Sequence, residues 1–165
     1  MQAEHKGERS MDRQMMQHHY RMLALNLAAS LVIMYIAMFA MISSRGEFVQ
    51  NINFFYMALV MWAPMAALML LTMKSMYQST KLNLGLYVAF AAVFVLSFAG
   101  IRDQGFVGDR QFVRSMIPHH SGAILMCGQA PIKDAEIREL CFGPNGIVES
   151  QKREIAQMKA ILKRL

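Results

Sequence analysis

The stretch LNLGLYVAFAAVFVLSFAGI, residues Leu82 to Ile101, decides the fold of this chain. It contains no Asp, Glu, Lys or Arg, and about 20 apolar residues in a helix are enough to cross the hydrocarbon core of a bilayer. Two earlier blocks share this length and this lack of charge, Leu23 to Ile42 and Phe54 to Met73. The three blocks show little of the periodic polarity that a soluble helix bundle requires, so the sequence predicts three transmembrane helices.

The composition of the chain agrees with this prediction. Of its 165 residues 55% are apolar, which is more than ordinary soluble domains contain. Because basic residues precede the first block, that block could alternatively be a secretory signal peptide. It is longer than the apolar core of a typical signal peptide and lacks a clear small-x-small cleavage site, so we expect it to be retained as an anchor.

Basic residues near the blocks predict the orientation of the spans. Six lie on the N-terminal side and four on the opposite side: Lys6, Arg9, Arg13, Arg21, Lys74 and Lys81 against Arg45, Arg102, Arg110 and Arg114. The positive-inside rule then places the N-terminus in the cytoplasm and the C-terminal part in the periplasm or outside the cell.

The net charge of +6 does not indicate a nucleic acid partner, because the basic residues after the third block are interleaved with acidic ones and lack an aromatic platform. Contact with the lipid bilayer explains them better.

Changes in composition along the chain predict four regions. Residues 1–21 form a polar tail that contains Met and His, and residues 22–102 form the three-helix membrane region. Residues 103–108 are a linker, and residues 109–165 form a helical domain. The predicted fold is therefore all-α, with three transmembrane helices followed by an extracytoplasmic helical hairpin.

The helical domain has two candidate N-caps, Asp109 and Asp134. We expect one helix from about Asp109 to Gln129 and a second, antiparallel arm that runs to the end of the chain. The second arm carries a stripe suited to packing on a partner helix: Ile137, Cys141, Val148, Gln151, Ile155, Met158, Leu162 and Leu165. The heptad phase of this stripe continues across Pro144 in the segment GPNG, which predicts a kink or local break within one arm.

The first arm contains RSMIPHHSGAILMC, Arg114 to Cys127, with two adjacent histidines directly after a proline. Residues at helical i, i+3, i+4 and i+7 spacing should face the second arm: Met116, His119, His120, Ala123, Met126 and Cys127. Adjacent residues of a helix point about 100° apart, so one metal ion is not chelated by both histidines in regular geometry. Each histidine therefore reaches a different partner, unless Pro118 bends the helix.

Gln151, Glu154 and Met158 lie on or beside the facing stripe of the second arm. A His-Glu or His-Gln contact would satisfy these polar groups without a metal. However, thioether, imidazole and thiol groups together form a soft ligand set that suits Cu(I) or Ag(I) better than Mg or Ca. We predict a Cu(I) site formed by His119, His120, Met116, Met126, Met158 and Cys127, with Cys141, Glu154 and Gln151 as weaker candidates.

A second Met-x-x-His-His pattern occurs in the tail, in the segment MMQHHYRM. Met15, His18, His19 and Met22 form a weaker candidate metal site on the opposite side of the membrane. Methionine also recurs at every fourth position of the second span, at Met57, Met61, Met65, Met69 and Met73. We interpret this recurrence as a packing ridge, because no intramembrane charge of the kind that marks ion pathways accompanies it.

Cys127 and Cys141 are the two cysteines of the chain. In an oxidising compartment they can form a disulfide that closes a loop of roughly 15 residues. If they are reduced, they are candidate copper thiolates. The sequence leaves both possibilities open.

The segments FVRSMIPHHSGAILMC, DAEIRELC and IVESQKREIAQMKAIL resemble the domain-of-unknown-function family 305. With the three preceding spans, the resemblance to small membrane-bound members covers nearly the whole chain. It implies a ferritin-like helical domain outside the cytoplasm of a bacterial inner-membrane protein, and copper binding or tolerance through His and Met residues. It implies no enzymatic activity. Relatives generally continue a helix where this chain has CFGPNGIV, so the match around Cys141 is weaker.

Two functions are consistent with these patterns. The leading hypothesis is a membrane-anchored protein that binds or buffers Cu(I). The alternative is a structural or interaction module that binds a second copy of the chain or another membrane or copper-handling protein. We do not predict an enzyme, because the sequence lacks nucleophile-elbow, zinc-protease, phosphate-loop and di-iron carboxylate motifs.

Overall fold

The computed structural model describes the backbone of residues 2–165 and the side chains of residues 14–165. The side chains of Lys6, Arg9 and Arg13, and with them much of the predicted polar tail, lie outside the described residues. Every regular element of the described backbone is helical, which confirms the all-α class. The six α-helices are α1 (Gln2–Ala37), α2 (Ile52–Thr72), α3 (Thr80–Arg102), α4 (Asp109–Gln129), α5 (Ala135–Phe142) and α6 (Ile147–Arg164). Two short 3₁₀ segments, Met38–Met41 and Arg45–Glu47, lie between α1 and α2.

Three helical segments are long and apolar enough to cross a membrane: Gln14–Met41, Ile52–Thr72 and Thr80–Arg102. Each contains nearly all of one charge-free block of the sequence, so the prediction of three apolar helices of spanning length is confirmed. The backbone of α1 shows no break at residue 21, where the polar tail ends in the sequence. Tail and first span are therefore parts of one continuous helix.

The chain folds as two compact units. The span unit comprises the residues up to Met34 together with Met57–Ala99. The hairpin unit comprises Tyr35–Tyr56 and Gly100–Leu165. The hairpin unit thus includes the connection between α1 and α2 as well as the whole C-terminal region.

The span unit has a core in which small and large side chains alternate. Its buried members are Leu23, Leu27, Ala63, Ala66, Leu70, Tyr77 and Phe90. Trp62 packs beside this core, and its indole N–H donates a hydrogen bond of 2.8 Å to the carbonyl oxygen of Leu27. The ring of Trp62 also meets Phe90 edge to face, with 5.6 Å between centroids. The sole tryptophan of the chain therefore reports on this core.

We expect Ala66→Leu to destabilise the span unit by about 1–3 kcal/mol, the usual cost of overpacking a filled core. Ala66 is completely buried, and small residues at such positions let neighbouring helices approach closely. Denaturation of the protein in detergent, followed by Trp62 fluorescence, measures the effect. The exposed Ala91 of α3 is the matched control, because Ala91→Leu adds the same atoms on an open surface. Equal stability of the two variants would show that Ala66 does not set the helix spacing.

In the hairpin unit, α4 and α6 pack side by side and run antiparallel. Near the start of α4, Arg110 donates a hydrogen bond of 3.5 Å to the carbonyl oxygen of Leu165 at the chain end. Between the two helices, Val113, Ile117 and Ile155 form a small apolar core. The helix predicted from Asp109 to Gln129 has these same bounds.

The two predicted N-caps have different outcomes. Asp134 caps α5, because its carboxylate accepts hydrogen bonds from the backbone N–H groups of Glu136 and Ile137 at 2.9 and 3.0 Å. The prediction for Asp109 is wrong, since Gly108 is the N-cap of α4 and makes no side-chain cap. Asp109 occupies the first turn instead, where its negative charge still interacts favourably with the helix dipole.

The predicted break in the second arm is confirmed: α5 ends at Phe142 and α6 begins at Ile147. Asn145 in this break has a φ of 63°, a left-handed conformation that asparagine tolerates better than most residues. The predicted stripe is only partly correct. Cys141 and Ile155 are buried and most of its other members are half-buried, whereas Ile137 and Leu165 are exposed.

Candidate functional site

His120 lies at the centre of the contact between α4 and α6. Its residue exposure is only 9%, and both of its ring nitrogens have partners. Nδ1 is 2.9 Å from the carbonyl oxygen of Met116, one helical turn earlier, and Nε2 is 2.7 Å from Oε2 of Glu154 on α6. The predicted His-Glu contact between the arms is therefore present, and it involves the second histidine of the pair.

The contact with Met116 determines which nitrogen of His120 carries a hydrogen. A carbonyl oxygen only accepts, so Nδ1 must be the donor in this bond. In the neutral ring Nε2 then has a free lone pair, which can accept from a protonated Glu154 or bind a metal ion. In the charged ring Nε2 donates to the Glu154 carboxylate. A histidine whose Nδ1–H is held by a backbone carbonyl has the usual orientation of a metal ligand through Nε2.

His119 points elsewhere, as the angle between successive helical residues requires. It is exposed, and its ring centroid is 6.0 Å from that of His120 at a steep angle. Pro118 between Ile117 and His119 is buried within a continuous α4, so the deformation that would bring both rings to one ion is not observed. The two rings therefore lie in different environments, His120 buried between the helices and His119 exposed.

The predicted sulfur ligands are spread along the hairpin. Met116 is half-buried one turn from His120, and Met158 is half-buried against the core of Val113, Ile117 and Ile155, one turn after Glu154 on α6. Met126 is ten positions after Met116, which is about 15 Å along a helix. Met126 therefore cannot share an ion with Met116, and it lines an apolar cavity of about 370 Å³ near the end of α4.

Cys127 and Cys141 form a disulfide between the last turn of α4 and the end of α5, with 5.7 Å between their Cα atoms. In this state neither sulfur is a thiolate, so the two cysteines can serve as copper ligands only after reduction. Among the side chains that the structure describes, no three from His, Cys, Asp and Glu lie close enough to hold a metal ion. In the hairpin the other soft ligand type is thioether sulfur, which Met116 on α4 and Met158 on α6 carry.

The contact between His120 and Glu154 lies within a segment that matches a known protein family. The model of the domain of unknown function DUF305 matches residues 98–162, which include α4, α5 and most of α6. An uncharacterized protein of Acanthamoeba polyphaga mimivirus is 35% identical over 144 residues, which is 86% of this chain and 91% of that protein. The chain belongs to the DUF305 family. No solved structure matches the chain.

The DUF305 segment is held to the connection between α1 and α2 by a partly buried cluster of hydrogen-bonded side chains that the sequence did not predict. Ser121 is completely buried on α4, and its hydroxyl donates to Oε2 of Glu47, which also accepts from the Ser43 hydroxyl at 3.0 Å. The backbone N–H of Ser43 donates to Ser121 Oγ at 2.6 Å. We call these three residues the serine–glutamate cluster. The sequence contains one indication of this cluster, because Glu47 is the sole acidic residue between Asp12 and Asp103.

A second set of polar contacts joins α4 of the DUF305 segment to the start of α2. Asn51 caps α2, since its Oδ1 accepts from the backbone N–H of Phe54 at 2.8 Å. Ser115 accepts a hydrogen bond of 3.2 Å from the Asn53 amide, and Gln111 accepts one of 3.3 Å from the backbone N–H of Ile52. Together with the serine–glutamate cluster, these contacts hold one face of α4, while His120 and Glu154 connect it to α6.

The two N-terminal histidines of this DUF305 protein, His18 and His19, also lie in different environments. His18 and Met22 are exposed. His19 is half-buried, with Nδ1 3.2 Å from the carbonyl oxygen of Met76.

Along the second span, Met57, Met61 and Met73 are exposed, whereas Met65 and Met69 are half-buried, so these five do not line one common path.

Proposed function

We propose that this chain is a membrane-anchored metal-binding protein whose hairpin binds Cu(I) through His120. The observation that carries the proposal is the fixed tautomer of His120, whose Nδ1–H is bound to the Met116 carbonyl while Nε2 faces α6. Holding the second ring nitrogen orients the ring and makes Nε2 a stronger ligand. The resemblance to copper-binding members of the family supports the choice of metal.

Thioether groups are the remaining ligands in this proposal. Met116 is one turn before His120, and Met158 is one turn after Glu154, so both side chains start from positions that can approach Nε2. Imidazole and thioether ligands together favour Cu(I) over hard cations. The side chain of Glu154 is 49% exposed, so it can turn toward solvent and release Nε2 when the metal arrives. His119 and Met126, which the sequence analysis included, lie outside this ligand set.

The location of the protein belongs to the same proposal. Three apolar helices act as spans, with the N-terminus in the cytoplasm and the hairpin in the periplasm or outside the cell of a bacterium. The disulfide of Cys127 and Cys141 supports an oxidising compartment for the hairpin. The protein buffers or passes on copper there, and we propose no reaction that it catalyses.

A competitive Cu(I) titration of the full chain in detergent tests this function. We expect His120→Ala to weaken Cu(I) binding by at least the roughly 10- to 100-fold that the loss of an outer partner of a metal ligand typically costs. His119→Ala is the matched control and should bind as the wild type does, because its ring is exposed and directed elsewhere. We expect Glu154→Gln to keep or increase affinity, since it removes a charged competitor for Nε2. Equal affinity of all variants would contradict the site.

A second candidate function rests on the same contact. Both ring nitrogens of His120 are already satisfied within the chain, so the pair with Glu154 can serve to set the register of α4 against α6. In that case the hairpin is a structural or interaction module that binds a second copy or another membrane protein. His120→Ala then lowers the stability of the hairpin, and Cu(I) gives no protection against unfolding to either variant.

A further inference from the structure

We infer that the span unit contains a separate site for a soft monovalent cation, Cu(I) or Ag(I), formed by His19 and the methionines around it. A cavity of about 270 Å³ lies there, lined by Met15, Met16, His19, Met76 and Gln78. This site does not depend on the hairpin site, because none of its residues belongs to the hairpin unit.

The ligands on α1 come from one face of the helix. Met15 and Met16 precede His19 by four and three residues, the two spacings at which helical side chains are neighbours. Met15 is half exposed and Met16 is half-buried. Two thioethers and one imidazole from α1 therefore line the same cavity before any other element contributes.

His19 is oriented for binding through Nε2. The carbonyl oxygen of Met76 only accepts, so Nδ1 of His19 donates in their 3.2 Å contact. The lone pair of the neutral ring then lies on Nε2, the same arrangement that outer partners impose on ligating histidines. The contact also brings Met76, from the connection between α2 and α3, to the cavity wall.

The connection that carries Met76 is held against α1 by neighbouring residues. The hydroxyl of Tyr20 donates to Asn83 at 2.6 Å and accepts from the backbone N–H of Ser79 at 3.3 Å. Tyr77 is buried, and its ring centroid is 5.4 Å from that of Tyr20. The ligand-bearing elements are thus fixed in place without the metal, which lowers the entropic cost of forming the site.

The chemistry of the lining selects the cation. Three thioethers and one imidazole are soft or intermediate ligands that suit Cu(I) and Ag(I), whereas Mg and Ca require oxygen ligands. None of the five described residues that line the cavity is acidic. Gln78 offers only an amide at the rim.

Ag(I) titration of the full-length protein in detergent, with methyl-¹³C methionine, tests the site directly. Ag(I) imitates Cu(I) without redox chemistry, and the protein carries His120→Ala so that the hairpin site does not contribute. We expect the methyl signals of Met15, Met16 and Met76 to shift together, each assigned by its Met→Leu variant. The signal of the exposed Met73 should not move with them. Absence of a common shift would overturn the proposal.

His18→Ala and His19→Ala form the matched pair for the imidazole ligand. The two residues are adjacent, but His18 is exposed and does not line the cavity. We expect His19→Ala to weaken Ag(I) binding by roughly 10-fold or more, and His18→Ala to leave it unchanged. Met76→Leu, which keeps the apolar volume, should also weaken binding relative to Met73→Leu. If His19→Ala lowers only the stability reported by Trp62 and leaves Ag(I) affinity intact, His19 is a tether to the Met76 carbonyl and the proposal is wrong.

Discussion

Ser121→Ala is expected to destabilise the docking of α4 on the connection between α1 and α2 by about 1–3 kcal/mol, the usual cost of one buried polar group left without its partner. The Ser121 hydroxyl is completely buried and serves two partners, because it donates to Glu47 and accepts from the backbone N–H of Ser43. Its removal leaves the buried Glu47 carboxylate with one donor fewer, and it takes the acceptor from the N–H of Ser43, an exposed residue. Each unsatisfied buried group costs about 1–3 kcal/mol, and more where it is charged.

Hydrogen exchange of the protein in detergent measures this effect. We expect faster exchange in residues 42–51 and in the middle of α4, with little change in the span unit. Ser150→Ala is the matched control on α6, because the Ser150 hydroxyl bonds only to carbonyls of its own helical turn, those of Gly146 and Ile147. A Ser121→Ala protein that exchanges like Ser150→Ala would show that the cluster does not hold α4 in place.

A double-mutant cycle separates the cluster from its individual groups. Glu47→Gln keeps the shape of the side chain and removes its charge. If Ser121 and Glu47 act as one unit, the double variant loses less stability than the sum of the two single variants. Purely additive losses would mean that the two residues stabilise the hairpin unit independently.

Replacing both cysteines with serine is expected to cost the hairpin about 3 kcal/mol in the chain-entropy description of a disulfide. The bond closes a loop with a sequence separation of 14 residues between Cys127 and Cys141. Cys141 is the one buried residue of α5, whose Ile137, Leu140 and Phe142 are all exposed. The disulfide is therefore the main restraint on α5, and we expect α5 to lose its hydrogen-exchange protection while α4 and α6 retain theirs.

The wild-type protein treated with reductant provides the second arm of this experiment. Reduction should reproduce the loss of protection in α5 without any substitution. It also frees two thiols, which lose their protons when they bind a metal ion. A rise in Cu(I) affinity on reduction that is absent in the Cys127→Ser/Cys141→Ser variant would therefore assign the cysteines as ligands of the reduced protein. Unchanged exchange of α5 in all three samples would mean that the apolar contacts of α5 with α6 are sufficient to hold it.

Local patterns in the sequence were enough to predict the helices. The three apolar blocks, the bounds of α4, the Asp134 cap and the break in GPNG depend on residues a few positions apart, so their chemistry is readable along the chain. The Asp109 cap was misplaced by one residue, because an acidic residue is favourable both at the cap and in the first turn. Ile137 was predicted to lie on the packed stripe of one helical arm, but it belongs to α5, which is a helix separate from α6, and it is exposed.

Periodicity placed both His119 and His120 on the packed face, and only the tertiary structure chose between them. His120 meets Glu154 across 34 positions, and Ser121 meets Glu47 across 74, and contacts at such separations leave no periodic trace in the sequence. The same applies to His19 and Met76, which are 57 positions apart. The sequence by itself determined the helices, the three apolar segments of spanning length and the residue types available for chemistry, because these follow from local hydropathy and capping. The tertiary structure decided which of those residues meet, because that depends on how helices pack and which buried polar groups must find partners.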